Sequence, residues 1–322
     1  MFGKKGVESQ FNWVFVLVAG GIILLLFGAV IIKQKQLSDI SISRDALNKI
    51  QAVLSSARTT TQSQQVSINA PIRSDCNSLQ IGATSSTLND FVFAPSVLKG
   101  TKLTVFTKEW NVPFRVSNFI YLTTEQTTYY ITYQDDPLHK ELAQSIQKVL
   151  QASSLDVRFH NPLQQLDTSI LNDNDNLVVI LVGSTSNYAS ALQNIKTVKV
   201  IRIEPDATTP ENGTVTFLSE VPVATEEYLT LPAILGAVFS PSRAGYKCVM
   251  DKAYIKLNSL ATLYGTRLSG VTCGADAGFY SNAITELGVL AAPNQKNDYF
   301  TAAQDLMSEN VKAALAACPL VY

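Results

Sequence analysis

Two short polar stretches carry residue types at spacings that can support chemistry. Asp135 and Asp136 stand side by side behind an apolar segment, and Gly183-Ser184-Thr185-Ser186-Asn187 follows the run LVVILV. Adjacent carboxylates can hold a divalent cation, because hard cations take oxygen ligands. A Gly/Ser-rich turn leading into a helix can offer backbone N–H groups to an anion. Each stretch also has a plain structural role. Asp135-Asp136-Pro137 is a helix start, with an acidic N-cap and a proline in the first turn, and Ser184–Asn187 is good capping sequence. The candidate ligand-binding residues are therefore Asp135, Asp136, Gly183, Ser184 and Thr185, with capping as the competing use.

Little else offers a reaction. The chain has no G-x-S-x-G, no Walker loop, no G-x-G-x-x-G and no H-E-x-x-H. Its two histidines, His139 and His160, come without a C-x-x-C, so no metal site is expected. His139 falls on the polar side of its helix and is expected to face solvent. No catalytic residue and no cofactor are assigned. The four cysteines, Cys76, Cys248, Cys273 and Cys318, include no C-x-x-C pair. In an oxidising compartment they would form two disulfides, with three connectivities open. Asn212-Gly213-Thr214 is a glycosylation sequon in a turn-like context, which makes Asn212 a modification candidate.

The elements that must position these residues follow from hydrophobic period. Tyr129–Tyr133 is a strand, and Leu138, Leu142, Ile146 and Val149 give the inner face of a helix. Leu155–Phe159 is the next strand, and Leu177–Val182 is continuous enough to be central in a parallel sheet. Tyr188, Leu192 and Ile195 suit a second helix, Val198–Ile203 returns as a strand, and Thr214–Leu218 is a hairpin strand closing the edge. This alternation predicts a small doubly wound α/β domain, whose ligands would sit at the carboxyl ends of the strands. Residues 66–128 are β-rich, with turns at Pro95, Gly100 and Pro113. Trp110 and Phe114 flank the last turn, where a buried aromatic cluster is a commoner outcome than a ligand platform. Beyond Pro222 the sequence reads as helical. One stripe runs through Met250, Ala253, Tyr254, Leu257, Leu260 and Tyr264, a second through Ala283, Ile284, Leu287 and Leu290, and a third through Val311, Ala314 and Leu315.

The N-terminal part has a different task. Trp13 to Ile32 is an uninterrupted apolar run without charge or proline. Its 20 residues make a helix about 30 Å long, the thickness of a bilayer core. Lys4 and Lys5 precede the run, and Lys33 and Lys35 follow it. The run exceeds a signal-peptide core and no A-x-A site follows, so an uncleaved anchor is expected. Leu37, Ile40, Leu47, Ile50 and Leu54 then form a helical stripe, a stalk that can equally pack on its own body. Thr59–Gln65 has no apolar period and reads as a linker.

Composition agrees with an exposed body on one span. The chain has 322 residues, of which only 16% are charged, and mean hydropathy is +0.13. A net charge of −1 gives no concentrated basic surface, which argues against nucleic acid as a partner. The flanking lysines are tied at two on each side, so they do not orient the span. The cysteines, the sequon and the Thr/Ser/Gln-rich body favour a short cytoplasmic N-terminus and an extracytoplasmic body.

Lys4-Lys5-Gly6 followed by a polar stretch and a long apolar helix resembles the leader of type IV pilins, which is cut after the glycine. That family usually has an acidic residue at the fifth mature position. Here Glu8 would be second and Phe11 fifth, a departure that puts processing in doubt. KKGVESQFNWVFVLVAGGIIL together with FAPSVLKGTKLTVFTKEWNVPFRVSNFIYL resembles single-span archaeal envelope proteins. The resemblance implies membrane anchoring and an exposed body. It brings no activity and no functional residue.

The expected organisation is a cytoplasmic tail (1–12), a transmembrane helix (13–32), a helical stalk and linker (33–65), a β-rich subdomain (66–128), an α/β domain (129–220) and a helical, disulfide-bearing lobe (221–322). The expected function is binding or surface assembly by a membrane-anchored body, through a protein partner. The rival is a tethered ligand-binding or hydrolytic α/β domain.

Overall fold

In the computed structural model, residues 5–61, 63–160, 176–183, 198–207, 209–271, 273, 278–293 and 298–322 are described. The chain mixes helix and sheet behind one N-terminal apolar helix. That helix, α1 (Lys5–Ala57), runs unbroken for 53 residues, or about 80 Å. In lipid a helix satisfies every backbone polar group internally, which suits the run from Trp13 to Ile32. None of its most apolar window is buried among the described residues, and Leu25 is 77% exposed. The helix is long and apolar enough to cross a bilayer.

The lower end of α1 belongs to the body. Leu47, Ile50, Leu54 and Ala57 are buried against Ile72, Leu79, Ile81, Leu103, Val105 and Leu122. Leu37 and Ile40, higher on the helix, stay exposed. About 20 Å of helix therefore separates Ile32 from the first buried contact. The C-terminal end of α1 is clamped. Asn118 Nδ2 donates to Ala57 O at 3.0 Å, and Arg58 pairs with Asp90 at 2.5 Å. Thr107 Oγ1 donates to Thr60 O at 2.8 Å.

Two small sheets follow. One holds β1 (Ser63–Ser67), β5 (Val92–Phe93), β7 (Lys102–Asn111) and β8 (Arg115–Thr124), in the order β1-β7-β8-β5. The other holds β2 (Ile72–Ser74), β3 (Ser78–Ile81), β4 (Thr84–Thr87) and β6 (Val97–Leu98), in the order β4-β3-β2-β6. The last residues of the expected linker, from Ser63, form β1 on the edge of β7. Main-chain pairing along that edge needs no apolar side chain, so the pattern gave no sign of it. Trp110 and Phe114 are both buried in the main core, Trp110 against the rings of Phe119 and Tyr254 and Phe114 against those of Tyr264 and Tyr322.

A six-stranded sheet is built from β9 (Thr128–Tyr133), β10 (Asp156–His160), β11 (Leu177–Val182), β12 (Lys199–Asp206), β13 (Thr209–Phe217) and β14 (Ala224–Leu229). Its order is β10-β9-β11-β12-β13-β14. The first four strands in that order are parallel, and β13 and β14 are antiparallel additions. β11, LVVILV, is buried at all six positions, as its continuous apolar run requires. Helix α2 (Pro137–Ala152) covers the sheet with Leu142, Ala143, Ile146, Val149 and Leu150. The helix expected around Tyr188–Ile195 lies outside the described residues.

Two expectations need correction here. β13 does not close the sheet, because β14 does, and the region beyond Pro222 is not helical from its start. The segment ATEEYL alternates in burial and adds to β13 from Asn212↔Leu229 to Phe217↔Ala224. Its alternation is too short and too polar to show in sequence, and the neighbouring strand supplies the missing pairing.

Among the described residues four further helices complete the body: α3 (Thr230–Phe239), α4 (Arg243–Leu268), α5 (Gly278–Ala291) and α6 (Tyr299–Leu315). α3 is buried from Ala233 to Phe239. It starts poorly, since Leu229 caps nothing and Thr230, a β-branched residue, has φ +68°. Such a backbone costs about 1–3 kcal/mol and a missing cap about 1. Fully burying Ile234, Leu235, Val238 and Phe239 offsets this at about 1.5–3 kcal/mol each. Gly236 allows the close approach, because a β-carbon there would stand 2.8 Å from the Phe93 ring.

The inner face of α6 also differs from expectation. Tyr299, Ala302, Ala303, Leu306, Glu309 and Ala313 are buried, whereas Val311 and Leu315 are exposed. Glu309 interrupts the true stripe and hides it from a hydrophobicity reading. Its Oε1 is held by Lys312 at 2.6 Å.

The cysteines form two disulfides. Cys76–Cys248 ties the β2–β3 turn to α4 across 172 residues, and Cys273–Cys318 closes the helical lobe across 45.

Candidate functional site

β9 and β11 lie side by side in register from Leu177↔Thr128 to Val182↔Tyr133, so their carboxyl ends are level. Main-chain pairing continues one residue further. Gln134 N–H donates to Val182 O, and Gly183 N–H donates to Ile203 O, both at 2.8 Å. Asp136 and Gly183, expected from sequence at two separate turns, therefore belong to one carboxyl edge. Ser184 and Thr185 lie outside the described residues.

Asp136 is the N-cap of α2, as the helix-start reading expects. Its Oδ1 accepts from His139 N–H at 3.1 Å, and its Oδ2 is bonded to His139 Nδ1 at 2.6 Å. Burial alone would raise the Asp136 pKa. Hydrogen bonds from the His139 ring and backbone, the charge of His139 and the Leu138 backbone outweigh burial and hold the carboxyl below its ordinary range. Asp135 is exposed. Among the described residues no group of three His, Cys, Asp or Glu side chains is placed to hold a metal ion.

His139 corrects its solvent-facing expectation. Its side chain is only 15% exposed, because the ring packs over Gly183. Gly183 has φ +100°, and a β-carbon there would meet His139 Cδ2 at 2.7 Å and Gln134 Cβ at 2.8 Å. When the ring is neutral and gives Nδ1–H to Asp136, Nε2 is left as a hydrogen-bond acceptor. The result is a carboxylate-oriented imidazole at the carboxyl edge of a parallel sheet. The sequence signal was the Asp-x-x-His spacing across N-cap and N3, which aims both side chains at the same helix start.

Lys199 is a second residue that sequence reasoning missed, at the other end of the strands. Its Nζ donates to Ala237 O at 2.6 Å, to Val238 O at 2.7 Å and to Ser240 O. Burial pulls its pKa down to about 7, with Glu220 pulling upward. Three acceptors at a helix C-terminus require the three donors of an ammonium and favour its charge. All three donors are spent on capping α3, so this lysine is structural.

The sequon residue Asn212 sits within β13 opposite Leu229, inside the sheet rather than in a turn. Its side chain is half-buried, and Oδ1 is enclosed without a hydrogen-bond partner. No protein-family model, curated protein or solved structure matches the chain.

Proposed function

We propose that this chain is a membrane-anchored extracytoplasmic protein whose body binds a protein partner or takes part in surface assembly. The observation that carries the reading is the continuity of α1. One helix holds the exposed apolar run at one end and is buried in the body, and clamped by Asn118 and Asp90, at the other. Such a joint tethers the body at a fixed height and raises its local concentration near a target at the membrane. Two disulfides support an oxidising compartment and so an outward-facing body. Residues 129–220 are read as a small doubly wound domain, with 221–322 as the disulfide-bearing lobe, and the parallel order β10-β9-β11-β12 supports this.

Protease added to intact cells, with alkaline extraction of membranes, tests the anchoring and the orientation. The expected result is a body digested from outside and an N-terminal fragment that stays with the membrane. A body protected in intact cells overturns the reading. In-cell cross-linking from the body surface tests the binding role, and discrete adducts to protein are expected. N-terminal mass analysis tests the pilin-like processing, which an intact Met1–Gly6 segment sinks.

A tethered ligand-binding or hydrolytic domain is the second reading, favoured by the Asp136–His139 pair over Gly183. Calorimetry with divalent cations and with phosphorylated compounds tests it. Heat that His139→Gln abolishes supports it, and no heat from either class of compound counts against it.

A further inference from the structure

We draw no further inference here: the strongest candidate, the two cavities that share Thr214 and Glu227, one lined by Glu226 and Asp251 between β14 and α4 and the other by Asp206 beside Tyr228 and Phe300, is an acidic cluster whose carboxylates already hold partners within the chain, and nothing in the structure shows a ligand that would occupy it.

Discussion

The His139 ring occupies the space beside Gly183 that any side chain at that position would claim. A β-carbon on Gly183 would stand 2.7 Å from His139 Cδ2 and 3.0 Å from Nε2, while φ of +100° already disfavours an L-residue. The two residues come from different strand ends and depend on each other. Gly183→Ala is expected to destabilise the body by about 1–3 kcal/mol through backbone strain, with the ring clash added. Adding His139→Ala removes the ring clash and leaves the strain and the close approach to Gln134 Cβ at 2.8 Å. Denaturation followed by fluorescence of buried Trp110 should show the double variant to be less unstable than the sum of the single variants. Strict additivity would mean that the ring and the glycine are independent.

Asn118 is buried and gives its Nδ2 to Ala57 O, at the point where the anchor helix ends. Asn118→Ala leaves a helix-terminal carbonyl without its partner, at a cost of about 1–3 kcal/mol. Limited proteolysis should then cut faster between the end of α1 and β1. Unchanged cleavage there would show that Arg58–Asp90 and the apolar stripe hold the joint without it.

The disulfide pairing is open to peptide mapping under non-reducing conditions, which should return Cys76–Cys248 and Cys273–Cys318. Removing either bridge by paired serine substitution is expected to cost about 2–5 kcal/mol. In the chain-entropy account, separations of 172 and 45 residues make the first loss larger, by about 1 kcal/mol. Equal losses would point to strain or residual structure in the unfolded chain.

Glu125 supplies a dependence on pH. Burial would raise its pKa, but N–H groups of Thr101 and Lys102 and the Thr101 hydroxyl outweigh that and hold it at about 2. A carboxyl whose folded pKa is depressed contributes stability that is complete above its ordinary value near 4.5 and is lost as pH falls towards 2. Glu125→Gln should therefore lower stability at neutral pH and flatten the acid limb between these limits. Because the residue is exposed, the change is expected to be modest. Parallel stability curves for the two proteins from pH 5 to 2 would exclude this role.

Much of the local architecture was legible in the residues. The apolar run from Trp13 to Ile32, the strands β9, β11 and β12 and the helix face Leu142–Ile146–Val149 all follow from short-range period and composition. Each reflects a backbone that must satisfy its own hydrogen bonds while burying one face. The capping role of Asp136 was equally local, because an N-cap reads only the next three residues. What the sequence could not determine depends on segments far apart. Cys76 finds Cys248 rather than either other cysteine because the β2–β3 turn packs on α4. β14 is a strand because β13 offers it an edge. His139 lies over Gly183 because parallel pairing brings two distant strand ends level. Periodicity fixes which face of an element is buried, whereas the partner that buries it is chosen by packing across the whole chain.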